Sequence, residues 1–254
     1  MAQLGVIFDI DGTLCDTNDV DDECYRAAAA SALNVPASQI DWTGAPHQTD
    51  SGIVRWLWER WRARPPTPEE VHRLRLEFLR GLESAQAADA RRFRAVREAP
   101  QFLDNVRRAG AIVGVATGGW RVSAELKLST VGVPTHLLYA TADDAEARAD
   151  IFGLAWTRAT AHPARPGVTV LVGDSVWDVA TARRLGWRFL GVGRGANARH
   201  LREAGAALIV PDYADLDACD TLERCQVPGE KTHGESFQEV HHARTLRPRG
   251  RAAP

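Results

Sequence analysis

Two carboxylates spaced by one residue, Asp9 and Asp11, end an apolar run and precede a Gly-Thr turn in "LGVIFDIDGTLCDT" (4–17). A second acidic pair, Asp174 and Asp178, ends another apolar run in "VTVLVGDSVWD" (168–178), and between the two lies "AIVGVATGG", which finishes on Thr117, Gly118 and Gly119. Bare carboxylates brought close together repel, so such a cluster needs a cation or shared protons. Oxygen donors with no His or Cys nearby favour a hard ion, and Mg2+ is the natural choice. A hydroxyl and free backbone N–H groups at Thr117 and Gly118 complement that ion as a phosphate cradle. Together these groups point to phosphoryl transfer.

The groups meet only if the chain delivers them to one edge of a sheet. Short apolar runs at 4–9, 111–117, 136–140, 168–174, 188–193 and 207–210 read as strands. The near-continuous hydrophobicity of the first, second and fourth suits strands buried on both faces of a parallel sheet. Between them "SAELKLSTVG" (123–132) and "SVWDVATARRLG" (175–186) read as crossover helices ending near glycine. The alternation predicts an α/β, doubly wound domain, which binds ligands beyond the carboxyl ends of its strands where strand order reverses.

From about Asp16 to Glu98 the alternation stops and only helical patterns appear. "DVDDECYRAAAASAL" opens on acidic residues suited to a helix N-terminus, so Asp19, Asp21, Asp22 and Glu23 read as a charged helix start rather than a metal cluster. "SGIVRWLWERW" puts Ile53, Leu57 and Trp61 on one face, and Thr67, Pro68 and two glutamates open a third helix. The expected organisation is a core of 1–16 and 99–225, an all-helical cap domain of 17–98 with hinges near Thr17-Asn18 and Arg97-Pro100, and a disordered tail of 226–254, poor in large apolar residues. In the cap, Trp56, Trp58 and Trp61 are expected to pack internally. In "GAPHQTDSG" (44–52), His47, Thr49 or Asp50 either faces a substrate or, for the last two, caps the next helix. Trp120 and Trp177 adjoin the acidic and glycine motifs and are candidates for the site entrance.

"FDIDGTL", "VATGG" and "VLVGDSVWD" resemble three of the four motifs of the haloacid dehalogenase superfamily, and the helical insertion resembles the cap of its phosphoglycolate phosphatase and β-phosphoglucomutase-like branch. The resemblance spans roughly 4 to 212. It implies a Rossmann-like core and a Mg2+-dependent hydrolase acting on a small-molecule phosphomonoester. Asp9 would be the nucleophile, forming an aspartyl-phosphate while also binding Mg2+. Asp11 would be the general acid–base and would bind the ion through its main-chain carbonyl. Thr117 and Gly118 would hold phosphoryl oxygens. Asp174 would bind Mg2+ directly, and Asp178 through water or by orienting Asp174. The remaining motif normally supplies a Lys or Arg, and no "KP" occurs where that Lys commonly falls. Arg148 is the favoured substitute; Lys127, on the helix after Thr117, is the alternative unless it is surface-exposed. A phosphomutase of the same branch and a non-enzymatic receiver-type phospho-acceptor are the competing readings. A dehalogenase is disfavoured by Asp11, and a receiver by the long insertion.

The bulk composition agrees. With 44% hydrophobic residues, 25% charged and a net charge of -2, there is no basic excess for nucleic acid, and no apolar run long enough to span a membrane. A cytoplasmic protein, monomer or homodimer, is expected, with Cys15, Cys24, Cys219 and Cys225 reduced. "GVGRGA" (191–196) lacks dinucleotide-loop register and reads as a strand-end turn near the entrance. His233, His241 and His242 in the tail carry no metal-site expectation.

Overall fold

The computed structural model describes residues 4–160 and 167–229. Six parallel strands form the main sheet: β1 (Leu4–Phe8), β4 (Ile112–Ala116), β5 (Leu138–Ala140), β6 (Val168–Gly173), β7 (Arg188–Val192) and β8 (Leu208–Val210). Their order is β5-β4-β1-β6-β7-β8, so the strand order reverses at β1. Phe8 is level with Val115 on one side and Val172 on the other, which brings three strand ends to one edge.

Side chains alternate across the sheet, as a period of two requires. Val6 and Phe8 belong to one apolar layer with Phe102 and Leu128; Ile7 belongs to the other with Phe152 and Val179. The helices covering the layers are α4 (Ala99–Arg108), α5 (Arg121–Thr130) and α9 (Ala218–Glu223) on the first, and α6 (Arg148–Ala159), α7 (Val176–Leu185) and α8 (Gly195–Glu203) on the second. The expected doubly wound α/β architecture is present.

Between β1 and β4 the chain forms α1 (Asn18–Leu33), α2 (Asp50–Arg62) and α3 (Pro68–Ala88). The third starts with the capping box its sequence announces: Thr67 accepts from the Glu70 amide while Glu70 reaches back to the Thr67 amide. Trp58 is fully buried, and Trp56 and Trp61 pack partly buried against the same helices. The expectation that no strand lies between 16 and 98 fails at the ends: β2 (Cys15–Asp16) pairs antiparallel with β3 (Arg94–Ala95) where the insertion leaves and rejoins the sheet. Two-residue strands carry no periodic signal, which is why the sequence hides them.

The expected tail boundary is also early. Phe189 bonds to Gln226, Pro228 accepts from Arg183 and Gly229 from the chain reaches the Gly205 carbonyl, so 226–229 pack against the core. The rest of the expected tail, with His233, His241 and His242, lies outside the described residues. Cys15, Cys24 and Cys225 are buried, Cys219 is exposed, and all four are free thiols. Among the described residues no helix is long and apolar enough to cross a membrane.

Candidate active site

Asp9 is the residue after β1, anchored by its amide to the Val172 carbonyl at 2.9 Å. Its side chain is buried, and one oxygen each of Asp9, Asp174 and Asp178 lie within 4.8 Å of one another. Gly12 makes that approach feasible. Its φ is +67°, and a Cβ there would stand 1.9 Å from Asp174 Oδ2, so any side chain would displace the carboxylate. Asp174 also accepts from Asn18 Nδ2 at 2.8 Å.

Arg148, the first residue of α6, completes the cluster. Its Nη2 lies 2.8 Å from Asp9 Oδ1 and 2.7 Å from Asp178 Oδ1, and its Nε donates to Asp178 at 2.8 Å. Asp178 is held further by the N-terminus of α7, where it accepts from the amide and hydroxyl of Ser175 in a reciprocal capping box. Asp178 is therefore committed to Arg148 and Ser175, whereas Asp9 Oδ1 is shielded from solvent and receives no aligned hydrogen bond.

The electrostatics of these groups share one cause. Burial drives the Asp9 carboxyl well above the usual carboxylate range; Arg148 opposes this, and Asp178, Asp174 and Asp11 add to it. Asp174 is pushed up to about 7, chiefly by burial and then by Asp178. Arg148 stays charged despite burial because Asp178 and Asp9 face it. A buried carboxylate group short of donors, all oxygen and without His or Cys, fits a hard divalent cation. Asp9 and Asp174 are the side chains free to hold one. The Asp11 carboxylate is outside this cluster, and the ligand expected from Asp11 is its main-chain carbonyl. That carbonyl accepts no backbone hydrogen bond among the described residues and remains available.

Opposite the carboxylates, the loop after β4 carries Thr117, Gly118 and Gly119. Thr117 is buried, and its Oγ1 accepts from the Gly119 amide at 3.0 Å. The Gly118 amide has no protein acceptor among the described residues, and a Cβ there would lie 2.6 Å from Arg148 Nη1. The insertion is sewn to this loop. The Asp50 amide donates to the Gly118 carbonyl at 2.8 Å, and the Trp120 amide donates to Asp50 Oδ2 at 2.8 Å. Thr49 caps α2, as one of its two sequence readings expects; it also donates to the Glu146 carbonyl at 2.7 Å and lines the cavity.

The resulting cavity of about 300 Å3 lies between strand ends and insertion. Asp9, Asp11, Thr117, Gly118, Arg148 and Asp174 line it from the sheet side. Asp21, Asp22, Tyr25, Trp42, Gln48 and Asp50 line it from the insertion; His47 does not. Trp177 is half-exposed on its rim, as an entrance residue should be. Trp120 is not: it is fully buried, packing against Tyr25 in a tilted arrangement and against Phe78 edge-on, with ring centres 5.7 and 6.2 Å away. The turn at Gly193 and Arg194 lines a neighbouring cleft that shares Asn18 and Asp174 with the site.

Two residues sit where their sequence readings did not place them. Lys127, the alternative basic residue, is fully buried, so surface exposure does not remove it, but it does not line the cavity and pairs with Asp11 and Asp21. Asp21 is thus turned inward and is not part of a merely solvated helix start. The signal was present in part: Lys127 follows Ser123 and Ala124 by a helical turn, on the face that Leu128 extends into the core.

The family model for haloacid dehalogenase-like hydrolases matches residues 4–186. The chain belongs to this family. It is accordingly a hydrolase enzyme, and the buried acidic cluster agrees with the family's use of Mg2+. A comparison with curated protein sequences finds no match. Among solved structures, a hydrolase from Pseudomonas syringae is 23% identical with a TM-score of 0.64, covering 87% of this chain and 98% of that one. CbbY from Rhodobacter sphaeroides, in complex with phosphate, is 21% identical with a TM-score of 0.64, covering 88% and 100%. A mutant of CbbY in complex with xylulose-(1,5)bisphosphate is 20% identical, again with a TM-score of 0.64, covering 87% and 99%. At these identities the likeness establishes the fold of this haloacid dehalogenase-like hydrolase.

Proposed function

We propose that this hydrolase is a Mg2+-dependent phosphatase of small phosphomonoesters, working through an aspartyl-phosphate on Asp9. The observation that carries the reading is Asp9 Oδ1: buried, ion-paired with Arg148, beside Asp174, and receiving no aligned hydrogen bond. When bound between Asp9, Asp174 and the Asp11 carbonyl, Mg2+ supplies charge neutralisation for the carboxylates and the phosphoryl oxygens.

This chain's residues do the rest. The Thr117 hydroxyl, the Gly118 amide and the Arg148 guanidinium bind the phosphoryl oxygens. An Asp9 oxygen attacks phosphorus as the bond to the ester oxygen breaks, and Asp11 gives its proton to that departing oxygen. Water then attacks the same phosphorus, passes a proton back to Asp11 and frees inorganic phosphate, restoring the Asp9 carboxylate. Uncatalysed monoester hydrolysis is so slow that enzymes accelerate it up to ~10²¹-fold, and a covered, water-poor site suits that demand.

The lining also bears on the alcohol portion of the substrate. Among the described residues Arg148 is the one cation lining the cavity, and it already faces Asp9 and Asp178, while Asp21, Asp22 and Asp50 stand on the insertion side. A second phosphate or a carboxylate finds no counter-charge there. This favours a neutral or cationic alcohol as leaving group, and it weighs against a phosphomutase that passes through a bisphosphate. The test is a Mg2+-dependent screen of phosphomonoesters with the wild type and Asp9→Asn. Neutral sugar and amino-alcohol esters should outrun bisphosphates and phosphoglycolate, and Asp9→Asn should abolish turnover with an unchanged circular dichroism spectrum. Turnover retained by Asp9→Asn rules the assignment out.

A further inference from the structure

Lys127 handles no phosphoryl group in this scheme and does not line the cavity, yet it is among the largest fully buried side chains. Its Nζ lies 2.8 Å from both carboxylate oxygens of Asp11. It also ion-pairs with Asp21, one turn into α1 of the insertion. Thr17, at the N-terminus of the same helix, donates its hydroxyl to Asp11 Oδ1 at 2.6 Å. Asp11 is thereby gripped from α5 on the sheet side and from the start of the insertion. The ammonium stays charged although burial opposes it, because both carboxylates face it.

As a source of stability alone this arrangement is hard to understand. A buried ion pair seldom outperforms well-packed apolar residues of similar volume, and its best-attested use is to fix one arrangement among several. Here the arrangement fixed is that of a carboxyl that lines the cavity. The carboxylate has about four acceptor positions; Thr17 and Lys127 occupy some of them and leave others for a substrate.

We propose that Lys127 is a positioning residue for Asp11, with Asp21 as its anchor, so that the seating of α1 and the aim of the acid–base carboxyl are a single event. The inference rests on the phosphatase reading above. Its consequence is selective. Proton delivery to the ester oxygen matters when the leaving group is an alkoxide and is dispensable when it departs as a stabilised phenolate. A misplaced Asp11 therefore penalises alkyl phosphates and spares dinitrophenyl phosphate.

The experiment compares kcat/KM, which reports steps up to phosphorylation of Asp9, on those two esters. In Lys127→Met the alkyl ester should lose at least ~10-fold, with dinitrophenyl phosphate within about threefold of wild type, since general acid–base catalysis is typically worth 10²–10⁴. Equal losses on both esters mean a merely structural role and overturn the proposal, as does no loss on either. Should Lys127→Met fail to fold, Asp21→Asn keeps the Lys127–Asp11 pair and removes the anchor. It should give a smaller loss with the same selectivity, and an unselective loss or none overturns the proposal. A wild type that hydrolyses neither ester, or whose activity survives Asp9→Asn, instead refutes the phosphatase reading, and this control precedes the Lys127 comparison.

Discussion

Arg148 sits between Asp9 and Asp178, and Lys127 between Asp11 and Asp21, so each buried cation answers two carboxylates. Removing one member of such a set strands the others without compensation, which costs about 3–5 kcal/mol in buried pairs. In the proposed reaction Arg148 does more than neutralise, because its fork faces the space where a phosphoryl group would sit beside Gly118. Arg148→Ala should lower kcat by roughly 10²–10³, the usual cost of losing a preorganised charge-stabilising donor. Arg148→Lys should recover part of that loss, since an ammonium restores charge but not the planar pair of donors. Steady-state kinetics on one aryl phosphate measures both. From the sequence, Arg148 and Lys127 were rivals for one role. Spacing along a chain does not report which carboxylate a long side chain reaches, and each turned out to serve a different one. Asp21 was hidden for a related reason: in an acidic helix start, nothing local distinguishes the one carboxylate that turns inward.

At the scale of elements, the residues that end strands were legible because the chemistry of strand ends is local. Asp9, Thr117 and Asp174 each follow an apolar run, and Ser175 and Asp178 form a capping box readable as a helix start. What no local signal announced is the joint between α2 and the loops after β4 and β5. Ser51 donates to the Ala142 carbonyl at 2.7 Å, Arg55 pairs with Glu146 at 2.6 Å, and Asp50 accepts from the Trp120 amide. These bonds link positions dozens of residues apart, so they belong to tertiary structure alone. Asp50→Ala leaves the buried Trp120 amide without its acceptor. It should destabilise the protein by about 1–3 kcal/mol, read from urea unfolding, and Asp50→Asn should do less because an amide oxygen can still accept.

Across the whole molecule the insertion and the sheet are not independent bodies resting against each other. Tyr25 and Phe78 of the insertion pack around Trp120 of the β4 loop at ring-centre distances of 5.7 and 6.2 Å, and one apolar cluster continues from there to Phe152 and Phe189 under the sheet. In the proposed reaction, a cavity covered in this way limits the water that reaches Asp9. The covalent intermediate proposed on Asp9 is the point on which residue, element and molecule converge. It is tested most directly by acid-quenching the enzyme during turnover of a radiolabelled phosphomonoester with Mg2+, then mapping the labelled peptide. The predicted result is hydroxylamine-labile label on the peptide containing Asp9, absent from Asp9→Asn, which no longer turns over. Label on any other residue, or sustained turnover by Asp9→Asn, would contradict it.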